Sequence, residues 1–154
     1  MSYSVQGKAS YEKYSAQRLN DSRIKDISSK FLTAFDTVPG ELFDTWAEEV
    51  ANELAEEGKA GSCNKSTQIR HFYDELVSWE QRIKDDEAFK KWEPFLRMMN
   101  AKVAYAKGRK PKLVGDKFEL WLKEGVKATT SAKTLHHFKL HFEAVLGFLK
   151  GLGR

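Results

Sequence analysis

Apolar residues in this chain recur at intervals of three and four, and that period limits what it can fold into. In 66–84, Ile69, Phe72, Tyr73, Leu76, Val77 and Ile83 fall on one side of a helix, with Arg70, Asp74, Gln81 and Lys84 on the other. A turn of 3.6 residues brings such positions together, whereas a strand needs strict alternation. The same spacing links Leu42, Phe43, Trp46, Val50 and Leu54, and then Phe95, Met98, Met99, Val103 and Ala106. It returns in Phe118, Leu122 and Val126, with Trp121 flanking that stripe, and in Leu135, Phe138, Phe142, Val145 and Leu149. Three prolines in 154 residues supply few of the turn signals a strand-rich domain needs. The expected fold is all-α: a compact helical bundle of about five helices joined by short loops.

Punctuation sets the boundaries. Pro39-Gly40 precedes an acidic helix that Gly58 closes, and 58–66 (GKAGSCNKS) has the composition of a linker. Ser66 or Thr67 suits an N-cap, 86–92 a short helical piece, and Pro94 the first turn of a new helix. Gly108 is placed to end that helix, Pro111 prevents its simple continuation, and Ser131 can cap the last helix, whose tail (GLGR) is expected to fray. Residues 1–30 are polar and lack a clear period, which predicts a flexible N-terminal arm ahead of a single domain over 31–150.

Several classes of function find no support. The one cysteine, Cys63, can form neither an internal disulfide nor a Cys-rich zinc site. No stretch approaches the ~18 apolar residues of a membrane span, and the N-terminal residues contain no apolar signal core, so a cytoplasmic protein without membrane contact is expected. His137 and His141 have a spacing that can chelate a metal, but His136 points elsewhere and His71 is on another helix. Packing or surface histidines are the expectation, with no metal and no cofactor. Cys63 has no flanking catalytic motif, the acid clusters Asp74-Glu75 and Asp85-Asp86-Glu87 suggest no pocket, and no glycine-rich phosphate loop of the strand-to-helix type is present. No catalytic residues are expected.

The charge pattern is more informative. The formal net charge is +4 and the isoelectric point about 9.1, but the two signs are segregated. Residues 31–57 carry Asp36, Glu41, Asp44, Glu48, Glu49, Glu53, Glu56 and Glu57 with no Lys or Arg among them. They suit a solvated helix face or a contact to a basic surface on a partner subunit. Between Pro94 and Gly115 the pattern inverts: Arg97, Lys102, Lys107, Arg109, Lys110 and Lys112 follow one another with no Asp or Glu. A polyanion fits such a stripe, because each neutralised phosphate releases counterions. Arg109 could fork onto two phosphate oxygens, and Asn100 and Tyr105 could add polar or stacking contacts. Two plainer readings stand beside it: cations favouring a helix C-terminus, or pairing with the acidic helix 41–57.

Three segments resemble a known family. Residues 68–75 (QIRHFYDE) are similar to the QIR-x-FYDE helix of the small subunit of the type III-A CRISPR effector, the Csm complex. Residues 94–109 (PFLRMMNAKVAYAKGR) resemble that family's PF-x-x-M-x-NAK-x-AYA-x-GR helix, and 138–144 (FKLHFEA) its F-x-x-x-FEA helix. The resemblance covers roughly 66–150, while 31–57 is longer and more acidic than it leads one to expect. It implies a non-catalytic subunit of an RNA-guided antiviral complex, stacked with further copies of itself and with other subunits beside guide RNA and target RNA or single-stranded DNA. Carried over, it assigns nucleic-acid contact to Arg70, Lys102, Lys107 and Arg109, with Arg97, Lys110 and Lys112 as further candidates from the charge pattern. The rival expectation is a protein-protein scaffold whose basic stripe docks on an acidic partner surface.

Overall fold

The computed structural model describes residues 23–154, and every regular element among them is helical. After a helical stretch at 23–29, seven α-helices follow in order: α1 (Phe31–Thr37), α2 (Thr45–Gly61), α3 (Ser66–Arg82), α4 (Asp86–Leu96), α5 (Met98–Gly108), α6 (Asp116–Ala128) and α7 (Ala132–Gly151). A 3-10 turn, Gly40–Leu42, joins α1 to α2. The all-α expectation holds, with seven helices in place of about five. One extra helix is α1, which ends at Val38 in the left-handed region, just before Pro39. The other is α4, a full helix capped by the Asp85 carboxylate, which accepts from Ala88 N at 2.8 Å. Pro94 lies inside α4 and does not open the next helix; α4 ends two residues after it, at Leu96.

The central element is α7, which packs against α1, α2 and α3. Ser131 begins it with a capping box: Thr134 N donates to Ser131 Oγ at 3.1 Å, and Ser131 N donates to Thr134 Oγ1 at 2.9 Å. The face of α2 turned inward, Ala47, Val50, Ala51 and Leu54, is small enough to lie close against α7 and is fully buried. Gly125 of α6 lies against the Phe138 ring, where a Cβ would collide with Cζ. Around that contact sit Phe31, Phe35, Trp121, Phe138 and Phe142, all fully buried, each side chain contributing roughly 1.5–3 kcal/mol by leaving water. Trp121 is therefore a core residue and not a flank of its stripe, since α6 is covered by α5 on one side and by α1 and α7 on others.

His141 lies in this aromatic core with no exposed surface. Trp121 Nε1–H donates to its Nε2 at 3.1 Å, so the ring hydrogen is on Nδ1, which donates to the Leu42 carbonyl at 2.7 Å. Both nitrogens are thus engaged in packing the bundle. Burial pushes its pKa down to about 4, and the bond to Leu42 opposes this only in part.

Two stretches are better ordered than their composition suggests. Residues 23–29 are helical, Ile24 and Ile27 are fully buried in the common core, and Arg23 Nη2 donates to Glu49 Oε1 at 2.6 Å. An arm extending to residue 30 therefore reaches too far, because two isoleucines three apart form one helical contact too short to register as a period. The rest of the expected arm, 1–22, lies outside the described residues. Around the Gly-rich linker, α2 runs on to Gly61, and the remaining loop is held by Asn64. The Asn64 amide donates to Leu54 O at 3.1 Å and Glu57 Oε1 at 2.9 Å, and its oxygen accepts from Gly115 N at 2.9 Å. Cys63 is consequently buried, not in a loose linker. Among the described residues, no helix is long and apolar enough to cross a membrane.

Candidate nucleic-acid interface

The peripheral position of α5 defines the site. It packs chiefly on α6 through Met99, Val103 and Ala106, all buried, and leaves Met98, Ala101, Lys102, Ala104, Tyr105, Gly108 and Arg109 exposed. Between this outer face and the first turns of α3 runs a groove of about 670 Å³. Phe72, Ala106 and Leu113 contribute apolar surface to it, and Thr67, Gln68 and His71 line it from α3. Lys102, Tyr105 and Arg109 line it from the side of α5 and the residue that caps it, and Tyr105 is 71% exposed.

The seven candidate cations do not form one unbroken lane. Lys102 and Lys107 are five residues apart, a rotation of ~140° around the helix axis. Lys102 and Arg109 share the groove, whereas Lys107 turns toward α6, donating to Glu119 at 2.8 Å with Asp116 at 3.5 Å. The bond to Glu119, then its charge, raises the pKa of Lys107. Arg97, at the α4–α5 junction, forks onto Glu93 through Nε at 3.0 Å and Nη2 at 2.7 Å. Lys102 bonds to Glu75, tying α5 to α3. Carboxylates outside the run thus neutralise three of the cations: Glu93, one turn before Arg97 in the chain, and Glu75 and Glu119 from other helices. The acidic α2 supplies none of them: Glu49 pairs with Arg23 and Glu53 with Lys117, while the Glu57 carboxylate accepts from the backbone N–H of Lys117 at 2.8 Å and caps α6.

Arg109, Lys110, Lys112 and Arg70 remain exposed, and their side chains make no ion pair among the described residues. Arg109 enters the groove, and Lys110 and Lys112 continue from it along the loop to α6. Arg70 faces a neighbouring concavity that shares Thr67 with the groove. Asn100, expected as a contact, is turned inward with its Oδ1 buried and without a donor among the described residues.

Two further cations belong to this surface without any signal in the sequence. Lys150 and Arg154 line the concavity beside Arg70. The tail, expected to fray, is docked: Arg154 N donates to Leu149 O at 3.0 Å and Nη2 to Cys63 O at 3.2 Å. Burial and Glu57 push the pKa of Cys63 up, opposed by the charges of Lys112 and Arg154. Similarly, α3 starts at Ser66 with Lys65 before it and no side-chain cap, so Ser66 and Thr67 are free to face the two cavities. Nothing local marks Lys150 or Arg154, since no motif or period includes them.

No curated protein and no solved structure matches the chain. The sequence model of the Csm2 Type III-A family matches residues 37–153 and so takes in α2 as well as the helices carrying the motifs. With that match over more than three quarters of its length, the chain belongs to the Csm2 Type III-A family, the small subunit of the Csm complex of type III-A CRISPR-Cas systems.

Proposed function

We propose that this subunit is a non-catalytic, cytoplasmic RNA-binding component of the complex, holding guide or target RNA by its backbone in the groove between α3 and α5. The observation that carries the reading is the exposed, unpaired run Arg109, Lys110 and Lys112 leading out of a groove that also presents Tyr105. Cations without carboxylate partners keep their full attraction for phosphate, and an exposed aromatic ring offers any base a stacking face. Sequence recognition is left to guide–target pairing, as in other RNA-guided effectors. Arg70 belongs to the same surface, while Arg97, Lys102 and Lys107 act as secondary contacts that must first loosen from their carboxylates.

Binding of labelled single-stranded RNA across a salt series tests this. Arg109→Ala is expected to flatten the log–log salt dependence by roughly 0.7, and Tyr105→Ala to weaken binding by about tenfold at an unchanged slope. If both variants bind RNA as the parent does, the groove is not the contact surface.

A second reading has its own support. Phe95 and Met98 are 54% and 53% exposed, beside the half-buried Trp92, and suit contact with another subunit. In that reading the basic groove docks on an acidic protein surface, and RNA fails to compete with subunit association.

A further inference from the structure

Past Thr67, the groove adjoins a second concavity of about 310 Å³. Three cations reach it from separate parts of the chain: Arg70 from α3, Lys150 from the last turn of α7, and Arg154 from the tail beyond. No Asp or Glu side chain lines it. The Glu57 carboxylate, behind Asn64, is already engaged by the Asn64 amide and by the backbone of Lys117 and Phe118. Arg70 and Lys150 make no ion pair among the described residues. Arg154 is held in position: one guanidinium nitrogen donates to Cys63 O, and the group lies over Gly58, where a Cβ would collide with Nη2. Its remaining N–H donors stay available.

Cations gathered around one cavity repel each other, and apolar walls from Ile69, Leu146 and Leu149 weaken the screening between them. An anion in the cavity relieves that repulsion. Ser66 and Thr67 add hydroxyls, and the first turn of α3 favours negative charge, although the three converging cations carry the argument.

We propose that this cavity is a phosphate seat, in which Arg70, Lys150 and Arg154 together hold one phosphate group. The inference deepens the RNA reading and rests on it for the source of that phosphate, since Thr67 borders both the seat and the groove. The chemistry is shared by an internal phosphodiester and a terminal phosphomonoester.

The full chain, isotopically labelled, is titrated with inorganic phosphate at constant ionic strength and followed by amide chemical shifts. Saturable shifts are expected at Ser66, Thr67 and Arg70, lost in Lys150→Ala/Arg154→Ala and retained in Lys102→Ala/Arg109→Ala. Shifts that are absent, or that survive the first pair of substitutions, overturn the seat. Lys150→Gln alone, on an exposed side chain, is expected to weaken the same shifts and guards against a loosened tail in the double variant. RNA oligomers with a 5′-phosphate or a 5′-hydroxyl then separate the sources. For an internal phosphodiester, Lys150→Ala/Arg154→Ala weakens both oligomers equally; for a terminal group, only the phosphorylated one. If groove variants lose RNA while the Lys150/Arg154 pair loses nothing, the seat is rejected and the RNA reading stands. Phosphate shifts in a chain that binds no RNA keep the seat and reject the RNA reading.

Discussion

In α2, the carboxylates nearest the core hold the fold together: Glu53 takes the buried Lys117, and Glu57 caps α6. The cations of α5 and its loop do far less for the fold. Arg97, Lys102 and Lys107 pair only where their side chains are 65%, 51% and 34% exposed, and Arg109, Lys110 and Lys112 pair with nothing among the described residues. Exposed ion pairs contribute little to stability. The two segments look like mirror images in sequence, each a run of one sign. Depth separates them: charge facing the core becomes structural, and charge facing water stays available to a partner.

The comparison breaks first, and by the largest amount, at the buried polar contacts that hold the acidic end. Leu42, just ahead of α2, accepts from His141. Protonation would put a second hydrogen on Nε2, facing the Trp121 N–H. Because His141 titrates at about 4 when folded and near the usual 6.5 when unfolded, the unfolded chain takes up the proton first as pH falls. Stability from the neutral ring is full above about pH 6.5 and is lost toward about pH 4, by roughly 3 kcal/mol in total. Denaturant unfolding of parent and His141→Gln across that range isolates the effect; parallel pH curves for the two would contradict a neutral buried ring. Glu57→Ala is next. It removes the acceptor at the start of α6 and from the Asn64 amide, and should lower unfolding stability by about 2 kcal/mol, read from the urea midpoint.

The basic side sharpens the contrast with the opposite pattern. Replacing Arg109, Lys110 and Lys112 together with Ala should leave the melting temperature unchanged and flatten the RNA salt slope by roughly 2, three contacts at ~0.7 each. Arg97→Ala should do least, changing RNA affinity less than about twofold, since Arg97 is already neutralised by Glu93. An Arg97 effect equal to that of Arg109 would mean that pairing does not decide which cations contact RNA.

Much of this was legible from residue types and spacing. The helical class, the stripes of α3 and α7, the Ser131 cap and the sign of each charged segment all came from residues a few positions apart. So did the helix 94–109, although its proline proved to belong to the preceding element. The site was legible in part: Lys102, Tyr105 and Arg109 share a groove as one helical face should, but Lys107 does not join them, and Lys150 and Arg154 were invisible.

Sequence alone determined that the chain is helical and that its positive charge collects near one helix and the loop after it, because periodicity and charge density are local properties. Tertiary structure decided which charges remain unpaired. Glu75 reaches Lys102 across 27 residues, and Arg154 reaches Cys63 across 91. Such meetings depend on how whole helices pack, and no spacing within one segment encodes them.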